Sequence, residues 1–479
     1  MLMTTGGDER IWLDPVTRRN RYGVGASPAP DELWFSSSTA SASSQEGYDA
    51  ALSALRRLTA FEAGQATLPA LFDDIRRRLL ALYGAPGSAA VLVPSGTEAE
   101  LLTLALARTL MPGPLTNIVV APKETGSGVL MAAGGANFQD SSSLGETVHK
   151  GDRLRGLERA DIAVATIAIR HPNGAPRPQQ EIDAEAGAVA AAAIAAGRGV
   201  ILHVLDTSKT GLAGLSRSTA AAIAEAAPGR VFVAVDACQL RCSADQLRED
   251  QAQGFVALIT GSKFAGGPPF SGALLLPEAI ADQLSRRMVE LPGLGSFSAL
   301  HDWPDALRPA VEASVSETAN LGLALRWVAA LDVMEKYEAI DSDLRDAIAD
   351  RFHLEVNGRI TRCRRIARLD DHDRFSACRT IVPFVVLRPD APAGLAETVR
   401  VREALRDDDA GPRIHLGQAV SLGERNVLRI CASMQHVVEI AGQYARTGNF
   451  IEAFDRHLGE LDLLFGRLEL VLAEQLIPS

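Results

Sequence analysis

The stretches VFVAVDACQ at 231–239, FVALITGSK at 255–263 and FSGALLLP at 270–277 decide the fold. Each contains an unbroken apolar run, too short for a helix and rich in Val, Ile, Leu and Phe. Such runs read as strands buried on both faces. Working outward, similar runs stand at 89–94 (AAVLVP), 117–121 (NIVVA), 161–169 (DIAVATIAI) and 200–205 (VILHVL). Helical stretches separate them, notably at 182–197 and 218–227. This alternation predicts an α/β fold, with a mostly parallel sheet covered by helices. The run at 270–276 follows its predecessor too closely for a helical crossover, so it is expected to be antiparallel.

The rest of the chain is organised around that sheet. Residues 1–47 are rich in Ser, Pro and Gly and lack periodicity, which predicts an extended N-terminal arm. Helical spacing then runs from Tyr48 to Leu82, broken near Gly64. We expect a large domain over 48–312 and a connecting segment over 313–345 that carries a helix from Ala313 to Tyr337. A smaller C-terminal α+β domain is expected over 346–479. In that domain the pattern predicts strands near 353–369, 380–388 and 427–431, and helices at 395–407 and 450–475.

Composition excludes several classes. With 479 residues, 47% hydrophobic and 22% charged, the chain reads as an ordinary soluble globular protein. Its net charge of −11 is spread along the sequence and builds no basic stripe, so no nucleic-acid partner is expected. Cys238, Cys242, Cys363, Cys378 and Cys431 form no metal-binding spacing, which suits a reducing compartment without a zinc site. The longest uncharged apolar run, 186–197, is too short to span a bilayer, and Asp8, Glu9 and Arg10 stand where a signal peptide would be apolar. A cytoplasmic protein with no membrane partner is expected. All but five of the 48 basic residues are Arg; only Lys123, Lys150, Lys209, Lys263 and Lys336 offer an amine.

Three strand ends carry candidate chemistry. Ser95-Gly96-Thr97-Glu98 lies between a strand and a helix, where exposed N–H groups at the helix N-terminus can hold a phosphate; Ser95 equally suits an ordinary N-cap. Asp236 ends a very apolar strand and needs a cation or donors there. Thr260-Gly261-Ser262-Lys263 ends the next strand, where a lysine among small residues suits a reactive amine. Ligands bind at the carboxyl ends of parallel strands, so all three would line one crevice. A phosphate anchor, an acid and an amine are what pyridoxal phosphate requires. Lys209 also follows a strand and is the one rival amine, with no acid at suitable spacing before it.

In SGTEAE at 95–100, VDACQ at 235–239, TGSK at 260–263 with the following GGPPFSGALLLP, and VLRIC at 427–431, the chain resembles the fold-type-I pyridoxal-phosphate enzymes, in their class V aminotransferase and cysteine desulfurase-like branch. The resemblance covers about residues 35–445. It implies an aspartate-aminotransferase-like fold and a homodimer with the active site at the subunit interface. It also implies pyridoxal 5′-phosphate as cofactor and an amino-acid substrate processed through a Schiff base and a quinonoid. On that resemblance Lys263 would carry the Schiff base and move the Cα proton, and Asp236 would keep the ring nitrogen protonated. Gln239 would lie near the phenolic oxygen. Ser95, Gly96, Thr97, Thr260 and Ser262 would lie around the phosphate, and Arg429 would grip the substrate carboxylate.

Departures from the family pattern bear on the reaction. The ring-stacking position falls near Thr125, with no aromatic or imidazole, and the Asn beside the phenolic oxygen falls around Thr207 or Ser208. Cys378, in FSACRT, sits too far before Arg429 to be a desulfurase nucleophile and reads as structural. Ser36–Thr39 align with a segment that approaches the substrate, and Ser296, Phe297 and Ser298 with one that reaches a partner's phosphate site. An aminotransferase is favoured, with a lyase (elimination, decarboxylation or related carbon-centred chemistry) second. Two further alternatives are a non-catalytic regulator on the same fold and, from Gly126-Ser127-Gly128 alone, a dinucleotide oxidoreductase.

Overall fold

The apolar runs form strands because alternate side chains on each enter separate cores. The computed structural model describes residues 1–60, 67–369, 378–389, 391–407 and 411–475. In chain order the strands are β1 (Leu33–Phe35), β2 (Ala89–Val93), β3 (Leu115–Val120), β4 (Ile162–Ile167), β5 (Gly199–Leu205), β6 (Val231–Ala237), β7 (Val256–Thr260), β8 (Gly272–Leu276), β9 (Ile366–Arg368), β10 (Ile381–Val386), β11 (Ile414–Leu422) and β12 (Arg425–Cys431). The large sheet has the order β2-β8-β7-β6-β5-β3-β4. The pairings among β3 to β7 are parallel, and β8 runs antiparallel to both its neighbours, as its short connection to β7 requires.

On β2, Ala90 and Leu92 enter one core and Val91 and Val93 the other; β7 divides in the same way, Ala257 and Ile259 against Val256 and Leu258. Helices Gln45–Thr59, Leu68–Tyr83 and Leu321–Glu338 close the first core, and helix Gly96–Leu110 the second. The break expected near Gly64 lies outside the described residues. Helices Gln179–Ala195 and Arg217–Ala226 replace the expected 182–197 and 218–227 with small shifts at their ends.

The second sheet has the order β1-β11-β12-β10-β9. Here the expectation needs correction: most of 353–369 is not strand but the end of helix Ser342–Arg362, and only Ile366–Arg368 is extended. The Asp341 carboxylate caps that helix at the N–H groups of Asp343 and Leu344, and its buried Ile348, Phe352, Val356 and Ile360 recur every four residues. Arg359 and Arg351 both pair with Glu355, i,i+4 contacts that the sequence displays as polar interruptions of a strand. The connecting helix likewise starts at Leu321, capped by Asn320, rather than at Ala313. β11 was absent from the expectation; it pairs with β12 as a hairpin and with β1 of the arm in parallel.

The arm is held onto the body of the molecule. The fully buried Arg326 donates to the carbonyls of Met3 at 3.1 Å, Gly6 at 2.8 Å and Phe270 at 2.6 Å. No helix among the described residues is long and apolar enough to cross a membrane.

One packing detail fixes an acid dependence. The His436 ring stacks on Phe35 of β1, meets His457 edge-on, and accepts the Ser433 N–H at its Nδ1 at 3.0 Å. Burial, then the neighbouring His457 and more weakly Arg456, pushes its pKa down to about 3, against the upward pull of Glu439. The folded protein therefore keeps this ring neutral while the unfolded chain protonates near 6.5. Its contribution is complete above about pH 6.5 and is lost as pH falls toward 3. We expect His436→Gln to lose on the order of 1–2 kcal/mol less stability than the parent between pH 7 and pH 5, read from urea midpoints. Equal losses in both proteins would remove the ring from the account.

Candidate active site

The carboxyl ends of the parallel strands open into one cleft. After β2, helix Gly96–Leu110 begins with Ser95 as N-cap, its Oγ accepting the Thr97 N–H at 3.2 Å. Gly96 is required by close approach: an added Cβ would lie 2.7 Å from Cys238 Sγ. Ser95, Gly96 and Thr97 all line the cleft, presenting the positive end of the helix to it. Thr125 lines it from the loop after β3, its hydroxyl donating to Pro122 O at 3.2 Å.

Asp236, near the end of β6, lines the floor; its Oδ1 accepts the Cys238 N–H at 3.1 Å. Gln239 also lines the cleft, but its amide is committed. Nε2 donates to Ser38 O at 3.0 Å, and Oε1 accepts from Arg241 at 2.8 Å. Thr260 donates to Cys238 O at 2.6 Å, linking the ends of β6 and β7. Ser262 and Lys263 follow, both on the cleft, and Ser41 of the arm clamps them. Its N–H donates to Ser262 O at 3.1 Å and its hydroxyl to Lys263 O at 2.8 Å.

The backbone around the cleft is strained. Ala121 (φ +49°) directly follows β3, Leu240 (φ +51°) follows Gln239, and Phe270 (φ +72°) lies between β7 and β8. Non-glycine residues hold such angles only where surrounding contacts enforce them. For Phe270 the enforcing contact is Arg326 on its carbonyl.

Two expected site residues lie off the cleft. Ser208 is buried, its hydroxyl donating to Glu124 Oε2 at 3.1 Å. Arg429 is fully buried behind the wall, donating to Ser38 Oγ at 3.2 Å and Thr39 Oγ1 at 3.1 Å, with Nη1 unbonded among the described residues. Burial pushes its pKa down to about 10. Gly417 makes room for it, since a Cβ there would meet Arg429 Nε at 2.9 Å. Of Ser36–Thr39 only Thr39 reaches the cleft. Phe297 packs on Phe138, Ser298 accepts from Trp303 Nε1 at 2.9 Å, and neither of them nor Ser296 is among the lining residues. Cys378 sits on Thr380 instead, its thiol pushed up by burial.

Sequence reasoning missed the contributions of Arg10, Arg21 and Tyr22 from the arm, of Gln418 from β11, and of Glu124 and Phe270 from loops. Arg10 is buried by a bidentate pair with Asp8, Nε to Oδ1 at 2.9 Å and Nη2 to Oδ2 at 2.6 Å, and lies over Phe138 and Phe270. The adjacent opposite charges in DER at 8–10 were the only available signal. Tyr22 and Phe270 are the aromatic side chains on the cleft among the described residues.

No family model matches the chain, and no curated protein matches it in sequence. Solved structures do match in fold. Alanine–glyoxylate aminotransferase from Nostoc sp. aligns with a TM-score of 0.56 and 16% identity, over 97% of this chain and 98% of that one. Cysteine desulfurase from Escherichia coli aligns at 0.53 and 14%, over 89% and 95%. Serine palmitoyltransferase from Sphingomonas wittichii aligns at 0.52 and 11%, over 94% and 88%.

Proposed function

We propose, from the premise that this chain has the aspartate-aminotransferase-like fold of type I, that it is a pyridoxal-phosphate-dependent enzyme acting on the α-amine of an amino acid. The observation that carries the reading is that Lys263 and Asp236, from the ends of neighbouring parallel strands, face one cleft with a helix N-terminus. The donor set fits the group: N–H and hydroxyl donors for a phosphate at Gly96, Thr97 and Ser262, an acid for a ring nitrogen, and an amine for an aldehyde. One of the similar solved structures is of a protein with this cofactor.

When bound, the cofactor supplies an aldehyde that captures amines and an electron-poor ring that stabilises charge at the substrate Cα. Lys263 would hold that aldehyde and carry the Cα proton. Asp236 would keep a proton on the ring nitrogen. Among the described residues Arg429 Nη1 makes no hydrogen bond, which leaves its N–H groups for a substrate carboxylate if Ser38 and Thr39 move aside. Tyr22 and Phe270 supply the apolar walls that Thr125 does not.

Within this reading we favour transamination over lyase chemistry, and a homodimer of the reducing cytoplasm. The cysteine on the cleft, Cys238, is held as a thiol by burial, so it is a poor nucleophile. The test is to add pyridoxal phosphate to the purified protein and screen amino acids by absorbance. A yellow protein whose band gives way to the aminated cofactor, with a keto acid released, is the expected result. Ammonia or carbon dioxide with the band regenerated would place it among the lyases, and a colourless protein would end the proposal.

A further inference from the structure

A second amine, unused by the proposed chemistry, lines the same cleft. Lys209 follows β5, whose neighbour β6 carries Asp236. Its backbone is fixed: Lys209 N–H donates to Glu124 O at 2.9 Å, Ser208 N–H to Leu212 O at 2.8 Å, and Gly211 N–H to Ser208 O at 3.0 Å, with Gly211 at φ +93° closing the turn. Its side chain has no such anchor. The acid beside it, Glu124, is already bound to Arg170 at 2.7 Å, Ser208 at 3.1 Å and Thr210. Among the described residues Lys209 joins no ion pair, whereas Lys336 on the surface pairs with Asp332 at 2.7 Å.

We propose that Lys209 is a second acid–base group of this cleft, which takes the proton a substrate ammonium must lose before its nitrogen can react; this rests on the cofactor reading above. The step is a proton transfer alone. An N–H bond of the substrate ammonium breaks, an N–H bond forms on Lys209 Nζ, and Lys209 later gives that proton to solvent, so that Lys263 is released as the neutral amine its own proton transfer requires. The surroundings favour such a transfer. Burial first, then the positive charges of Arg429, Lys263 and Arg10, push the amine down to about 7, with Glu124 alone opposing. A group that titrates near the working pH is present in part as the free base and can both take and give up a proton.

The test uses the full chain as Lys209→Met and Lys209→Arg. In the cofactor-free parent, brief labelling with acetic anhydride across pH 6–9, read by peptide mapping, should give Lys209 a midpoint near 7, well below the ordinary lysine value of about 10.4. After loading, both variants should still form the yellow link to Lys263. The first-turnover response to an amino acid at pH 7 should fall about 10²-fold in both, with its pH rise moved upward. Full rescue by Arg, which cannot release a proton, would make the role one of charge and overturn the proposal. So would an unchanged rate in Lys209→Met, a Lys209 midpoint near the ordinary lysine value of about 10.4, or borohydride trapping of the cofactor on Lys209. A parent protein that never turns yellow defeats the cofactor reading instead, and the labelling midpoint separates the two failures.

Discussion

Lys263→Ala is expected to abolish the borohydride-reducible link to pyridoxal phosphate and to lower turnover by at least about 10⁴-fold, because under the proposed function one group would supply both the covalent attachment and the proton transfer at Cα. The fold should survive. The loop is shaped by its backbone: Gly266 N–H donates to Lys263 O at 3.0 Å, Gly267 N–H to Gly261 O at 2.8 Å, and Ser41 clamps the outer carbonyls. Gly267 has no room for a side chain, since a Cβ would lie 2.6 Å from Gly261 O and 2.5 Å from Ala330 Cβ. None of these contacts uses the lysine side chain, so the stability read from urea unfolding should change by no more than about 0.5 kcal/mol. Absorbance, mass of the reduced adduct and turnover in the same preparation check the prediction. A variant that stays yellow and active would move the reactive amine elsewhere in the cleft.

Legibility followed the physics of each element. Asp236 and Lys263 could be read because the runs before them are too continuously apolar for anything but two-sided strands, whose carboxyl ends converge. The arm could not be read in this way. Arg10 becomes a cleft residue through Asp8 and the rings of Phe138 and Phe270, contacts that leave no periodicity. Gln239 was visible as part of a motif, yet its amide is taken by Ser38, 201 positions away. Arg429 was visible too, but its seat behind Ser38 and Thr39 depends on Gly417 being free of a side chain. Lys209 and Lys263 could be ordered by their distance from Asp236 along the chain, but chain order could not reveal that both face one space. The last part of the helix Ser342–Arg362, from 353 on, was read as strand because the short extended run Ile366–Arg368 follows it closely, although its apolar residues recur at helical spacing and Arg351 and Arg359 pair with Glu355 four residues away.

Asp236→Asn is expected to keep the yellow link to Lys263 while turnover falls about 10²- to 10³-fold. The residue is fixed on three sides: its backbone pairs in parallel on β6 with β5 and β7, opposite Leu205 and Leu258, and its carboxylate Oδ1 accepts the Cys238 N–H at 3.1 Å. Two roles are open to a group so placed, a strand-end acceptor or the counter-charge of a protonated ring nitrogen. Asn keeps the acceptor and loses the charge, so the two roles predict different outcomes. Removing one partner of a buried charge pair costs about 3–5 kcal/mol, and each 1.4 kcal/mol is about tenfold in rate. With no anion beside it a bound ring's nitrogen would give up its proton, and the ring would draw less charge from the substrate Cα. Asp236→Ala, which loses both acceptor and charge, should be at least as slow and less stable. If Asn turns over like the parent and only Ala is impaired, the residue is a structural cap, and the electrostatic part of the proposed function fails with it.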